Sequence, residues 1–205
     1  MEQYLNEFIF LASAITLALM SPGPDFMITL KLSLNHERKY AIMSSFGIGI
    51  GIMVHLAYTI LGFTIIIKAF PMFLDLIRYL AAIYLIYIGY KSLMTHTVIK
   101  ADTSKKDMTL KKAFMYGFIS NVLNPKATMF LLSIFSIIVN ESTPIYIQLL
   151  FGMFCVVINF FWYAMIAIFL TRKKSLEVFN KYSNFINKII GIILVVFGFY
   201  FIFGL

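Results

Sequence analysis

Cysteine occurs once in this chain, as Cys155, which excludes an internal disulfide and any Cys-x-x-Cys redox or metal motif. Cys, His and carboxylates do not cluster anywhere in the sequence, so neither a metal site nor a cofactor is expected. Charge is thin as well: 13% of the 205 residues are Asp, Glu, Lys or Arg, against about 25% in soluble domains. No polar block is long enough to fold separately, which leaves one domain over residues 1–205. A cationic leader is also missing. Met1 to Glu7 hold Glu2 and Glu7 without Lys or Arg, and no small-residue cleavage site follows, so the N-terminus is expected to be kept.

Apolar residues fill the space that charge vacates, at 61% of the chain, in repeated runs of the roughly 18 or more residues that cross a hydrocarbon core as helix. These runs predict an all-α polytopic membrane protein. Six spans are expected, at Phe8 to Leu34, Tyr40 to Ile67, Phe70 to Met94, Phe114 to Val139, Ile145 to Leu170 and Phe185 to Phe203. The net charge of +8 does not point to nucleic acid, because the basic residues lie in gaps between apolar runs rather than along one face. Lys31, Arg38 and Lys39 follow the first span. Lys91, Lys100, Lys105, Lys106, Lys111 and Lys112 follow the third, and Arg172, Lys173, Lys174, Lys181 and Lys188 follow the fifth. The opposite face has only Lys68 and Arg78 beside Glu2, Glu7, Asp75 and Glu141. The positive-inside rule therefore puts the three basic loops in the cytoplasm and both termini outside the cytoplasmic membrane. Asp75 and Arg78 are one turn apart, a spacing that suits an interfacial ion pair.

Two spans carry interruptions in matching places. Ser21-Pro22-Gly23-Pro24-Asp25 breaks the first and Asn121-Val122-Leu123-Asn124-Pro125-Lys126 the fourth. Ser21-Pro22 and Asn124-Pro125, 103 residues apart, each pair an N-capping residue with proline at a first helical position, the pattern of a helix that restarts. Gly51 and Gly152, His55 and Asn159, and Gly89 and Gly191 recur at offsets of 101 to 104. The chain thus reads as two inverted three-helix repeats, about 5–95 and 112–205, joined by a cytoplasmic linker over about 95–112. Freed backbone groups at a break must be satisfied by protein or by a water-filled cavity. Broken segments in corresponding halves point to a transporter's midplane site, with half-helix N-termini aimed at an anion.

Asp25 and Lys126 stand at these breaks, and each costs about 2.5 to 3.5 kcal/mol at a helix centre. Either they pair with each other as a tie between the halves, or they present opposite charges to a zwitterion, its ammonium on Asp25 and its carboxylate on Lys126. His55 lies mid-span, either as a proton carrier or as a neutral imidazole bonded to backbone. Asn121, Asn124 and Asn159 supply neutral donors and acceptors for the same cavity. Gly47 and Gly51 of "GIGIG" form a small-xxx-small face that packs within the chain or against a second copy, so a homodimer is one arrangement it allows. Trp162 and the 12 tyrosines read as packing and interface residues.

The stretches "SPGPDFMITLKLSL", "FGIGIGIMVH", "RYLAAIYLIYIGYKSL" and "FMYGFISNVLNPKATMFLLSIF" together resemble the ordered motifs of the LysE/RhtB family of bacterial amino acid exporters, over essentially the whole chain. The most specific parts are PGP, at Pro22, Gly23 and Pro24, and NPK, at Asn124, Pro125 and Lys126. Two departures stand out: Ala81 replaces a frequent glycine, and "PQF" is missing after Phe135. The resemblance implies efflux of amino acids or their relatives, with protons, the amino acid and the lipid bilayer as partners. The expected mechanism is alternating access without enzyme chemistry. A channel is disfavoured by the lack of a charged ring or filter repeat, a metal exporter by the missing ligand cluster, and an intramembrane enzyme by the lack of a nucleophile motif.

Overall fold

The structure is a computed structural model that describes residues 2–69, 71–94, 107–139, 142–169 and 173–203. The predicted linker lies outside the described residues as far as residue 106, as do Lys100, Lys105, Lys106, Glu141 and Arg172; the side chains of Glu2, Lys68, Asp75, Arg78, Lys173 and Lys174 also lie outside the description. Among the described residues there are eight helices and no strand. They are α1 (Glu2–Met20), α2 (Pro24–Asn35), α3 (Arg38–Ala69), α4 (Pro71–Met94), α5 (Leu110–Val122), α6 (Pro125–Ile138), α7 (Ile145–Phe169) and α8 (Lys173–Phe203). Helix is the form that satisfies backbone polar groups within one segment, which lipid demands.

Arg38–Gly62, Ile145–Phe169 and Asn180–Phe203 are each long and apolar enough to cross a membrane. The pairs α1/α2 and α5/α6 are apolar and long enough only as bent units, and each bends by 54° at its break. The third predicted span runs as α4, whose apolar portion Tyr79–Met94 is shorter. The sixth starts earlier than expected. The basic segment after α7 is helical from Lys173 onward, with Ser183 and Asn187 buried while Lys181 and Lys188 face outward.

The surface is apolar and the interior holds the polar residues. Leu61, Leu123, Phe161, Phe169 and Phe185 stand exposed, while Ser44, Thr59, His55, Asn121 and Ser136 are buried beside Leu11, Ile48, Leu85 and Phe135. That inversion fits a chain whose outer solvent is hydrocarbon, and it makes this a multi-pass membrane protein.

Glycine sets the closest helix crossings. A Cβ on Gly47 would overlap the Phe114 carbonyl of α5, and one on Gly117 would overlap the Ser44 carbonyl of α3. Gly51 meets Asn121 on the same crossing, so "GIGIG" is used inside the chain, with Gly49 turned to Val156 and Phe160 of α7. Gly89 and Gly191 do the same for α4 and α8: a Cβ on either would come within 2.7 Å of the other's carbonyl oxygen. These are the small-residue contacts that let membrane helices approach.

One expectation about the breaks fails. Ser21 does not cap α2. The cap is Gly23, with extended φ and ψ of −147° and −172°, and Pro24 takes the first helical position. The amide of Ser21 still donates to the Leu17 carbonyl at 3.3 Å, so α1 runs on to the residue that was expected to open α2. The second break is as predicted: Asn124 caps α6, its side chain accepting from the Lys126 amide at 3.0 Å, and Pro125 follows. With Gly23 matched to Asn124, the offset between breaks becomes 101 residues, the same as between Gly51 and Gly152. At that offset Asp25 corresponds to Lys126, each the second residue of a restarted helix. His55 and Asn159, 104 apart, fall almost a turn out of this register.

Candidate functional site

The two breaks meet at the centre of the bundle, and their charged residues reach across to each other's helices. Lys126 Nζ, from α6, donates to the carbonyls of Ala18 at 3.1 Å and Ser21 at 2.8 Å. Both oxygens belong to the frayed C-terminal end of α1, where carbonyls lack intrahelical partners and the dipole favours a cation. Asp25, from α2, is buried and accepts three hydrogen bonds. Ser120 Oγ donates to one carboxylate oxygen at 2.9 Å, and the Asn121 and Asn124 amides donate to the other, each at 2.9 Å. Asp25 and Lys126 form no ion pair. Lys39 does pair with Glu37, on the surface at 2.9 Å. Of the two readings of these charges, the direct tie is thus absent, and two indirect contacts stand in its place, charge to carbonyl and charge to amide.

Two cavities flank this crossing. The larger, about 310 Å³, lies between the breaks, α4 and α8; Ser21, Pro22, Gly23, Pro24, Asn124, Pro125 and Lys126 line one side, and Tyr84, Tyr87, Lys91, Ser92 and Asn187 the other. The smaller, about 40 Å³, lies on the far side of the breaks, where Asp25, Asn121, Asn159 and Tyr163 gather. Gly23, Asn124 and Lys126 border both. Asp25 is absent from the lining of the larger cavity. A Cβ on Gly23 would sit 3.5 Å from Lys126 Cδ, an ordinary contact, so the glycine backbone packs directly beside the lysine stem.

His55 supports the second break. Its Nε2 lies 2.9 Å from the Asn121 carbonyl, an oxygen that also receives the Asn124 amide at 2.8 Å where α5 ends. A carbonyl only accepts, so Nε2 carries the hydrogen. Nδ1 faces the Tyr58 hydroxyl and, at 3.3 Å, that of Thr128, both able to donate to it. The backbone bond of one of the two expectations for His55 is present. Asn159 donates to the Cys155 carbonyl of its own helix at 2.8 Å and turns toward the smaller cavity.

Ten of the eleven sequence candidates line these two cavities or their shared wall, and the eleventh, His55, lies behind them on the Asn121 carbonyl. Tyr84, Tyr87, Lys91, Ser92, Ser120 and Asn187 were not anticipated. Tyrosines had been assigned to packing and Lys91 to a loop, yet Tyr84 Oη donates to the Pro125 carbonyl at a long 3.4 Å and its ring lies 6.0 Å from that of Tyr87. Ser92 donates to the Asn187 carbonyl at 2.9 Å. The signal available in sequence was the polar residue within an apolar run, read at Asn159 but not at Ser92 or Asn187. No group of three or more His, Cys, Asp or Glu is placed to hold a metal among the described residues.

Comparison with known proteins gives a consistent picture. A family model described as LysE type translocator matches residues 16–204. The threonine efflux protein of Escherichia coli strain K12 is 26% identical over 197 residues, 93% of this chain and 95% of that protein. The threonine efflux protein of Salmonella typhimurium strain LT2 is 26% identical over 198 residues, with the same coverage. The uncharacterized membrane protein YrhP of Bacillus subtilis strain 168 is 29% identical over 187 residues, 86% of this chain and 89% of that one. No solved structure matches the chain.

Proposed function

The chain belongs to the LysE type translocator family, and from that premise we propose that it exports a neutral amino acid from the cytoplasm by proton-coupled alternating access. The observation that carries the reading is the cavity of about 310 Å³ into which both restarted helices and Lys126 project. The N-termini of α2 and α6 supply positive dipole ends, and Lys126 supplies a full charge. The three together suit one carboxylate. The rings of Tyr84 and Tyr87 on the facing wall suit an ammonium through their negative faces.

The cavity argues against a cationic side chain. Lys91 and Lys126 both border it, and its described lining includes no acid, so lysine would bring a third ammonium to two already present. The expected order of export is threonine, then leucine, then lysine. Preloaded cells with and without the gene give the test: if lysine leaves fastest, the charge argument is wrong, and if none leaves faster than in cells lacking the gene, the export reading fails.

In this reading the six spans form two inverted repeats in the cytoplasmic membrane with both termini outside, and the repeats rock about the shared crossing of α3 and α5. Equal bends of 54° at the two breaks and a common offset of 101 residues support the repeat. Threonine, named for two of the relatives, is the first substrate to try. A second copy of the chain is not needed to complete the cavity.

A further inference from the structure

We propose that Asp25 takes the coupling proton and does not contact the transported amino acid. The proposal rests on the exporter reading and gives the proton a place within it. The buried carboxylate lines the cavity of about 40 Å³ and is separated from the larger one by Gly23, Asn124 and Lys126. A carboxyl group there can be ionised or neutral without leaving its site, provided its neighbours serve both forms.

They do, through Asn121. Its Nδ2 donates to Asp25 at 2.9 Å, while its Oδ1 is buried with no hydrogen-bond partner, a costly condition that native structures rarely tolerate without a reason. Turning the amide over brings that idle acceptor to Asp25, where it would receive the hydrogen of a protonated carboxyl. Asn124 has no such freedom, because its Oδ1 is engaged by the Lys126 amide at 3.0 Å. Gly51 leaves the room for the turn: a Cβ there would lie 2.7 Å from Asn121 Oδ1. One asparagine is thus fixed as the cap of α6 and the other is free to follow the proton.

Lys126 faces Asp25 from α6 and Tyr163 from α7, while His55 on α3 is committed to the backbone carbonyl of Asn121. From α1, Ile15, Ala18 and Leu19 line the same cavity. A proton entering from outside binds the Asp25 oxygen that Asn121 and Asn124 now share, and the bond to Asn121 reverses, from one that Asp25 accepts to one that it donates. Release of the proton to the cytoplasm restores the original direction. Each transit of the proton therefore turns the Asn121 amide over and back at the junction between α2 and α5 while the amino acid occupies the other cavity.

Two measurements on the full chain reconstituted in lipid test this. Infrared difference spectra recorded during transport driven by a pH gradient should show a buried protonated carboxyl band in the wild type that is missing in Asp25→Asn. No band assignable to Asp25 would overturn the proposal. In proteoliposomes loaded with labelled threonine, Asp25→Asn should retain threonine–threonine exchange yet lose accumulation driven by a pH gradient, about tenfold per pH unit for one proton. Asp25→Glu should recover part of the accumulation. If Asp25→Asn folds as judged by size exclusion but loses exchange too, Asp25 is a substrate contact; if it keeps full accumulation, the proton travels elsewhere. Both outcomes refute the proposal. A wild type that neither exchanges nor accumulates threonine would instead count against the exporter reading, and the infrared result would still decide the fate of Asp25.

Discussion

Substituting Asn124 separates two roles that one side chain performs at once. Its Oδ1 caps α6 and its Nδ2 donates to Asp25. Asn124→Ala removes a cap worth about 1 kcal/mol and a hydrogen bond to a charged acceptor worth about 1.5 to 3 kcal/mol. The sum is about 2.5 to 4 kcal/mol, which for a chain of this length corresponds to a fall of roughly 5 to 15 °C in melting temperature. Asn124→Asp keeps the cap, since aspartate caps as well as asparagine. It also sets a second carboxylate where Asp25 needs a donor, and like charges at that distance are repulsive. The aspartate variant should therefore melt no higher than the alanine one. The double variant Asn124→Asp with Asp25→Asn exchanges donor and acceptor and should regain most of the loss. Melting can be followed by size exclusion of heated, detergent-solubilised protein. If Asn124→Asp melts with the wild type, Asn124 is a cap alone and its bond to Asp25 contributes nothing.

Other expectations follow from the same geometry. Gly117→Ala and Gly47→Ala, each forcing a methyl into a facing carbonyl, should cost at least the roughly 1 to 3 kcal/mol of an overpacked core; Gly62→Ala, with open space around its Cβ, should not, and equal yields of all three would refute the close crossing. Lys126→Gln keeps donors for the α1 carbonyls but loses the charge, so threonine export should fall about 10- to 100-fold, in line with hydrogen bonds to charged groups, with insertion unchanged; normal export would reduce Lys126 to scaffolding. A cysteine replacing Lys111 should be labelled only from the cytoplasm and one replacing Ser142 only from outside, and the reverse pattern would invert the orientation given by the basic loops.

The parts of this molecule legible in its sequence are those fixed by short-range chemistry. Asn124 followed by Pro125 announced the start of α6 because cap and first-turn proline act within a few residues of each other. The first break was misread by two residues. Ser21 and Gly23 are both acceptable caps, each followed by proline, and the choice goes with Lys126 holding the Ser21 carbonyl from 105 residues away. Distance in sequence hid the partners of Asp25 in the same manner. An opposite charge at the matching position, Lys126, was conspicuous, whereas Ser120 and Asn121 were one serine and one asparagine among many. Tyr84 and Tyr87 were hidden by type, since tyrosine in an apolar helix serves lipid interface and cavity wall equally well.

The correspondence of Asp25 with Lys126 at the second position of each restarted helix sets a limit on how evenly such a machine can run. If the halves are the inverted repeats proposed above, exchanging them would carry one backbone onto the other, yet it would carry an acid onto a base. The inward-open and outward-open forms of the proposed cycle are then alike in shape and unlike in electrostatics, so they cannot be equal in energy. At rest, with no amino acid bound, the population should be lopsided. Whichever side the empty protein favours is decided by two side chains rather than by the architecture that holds them.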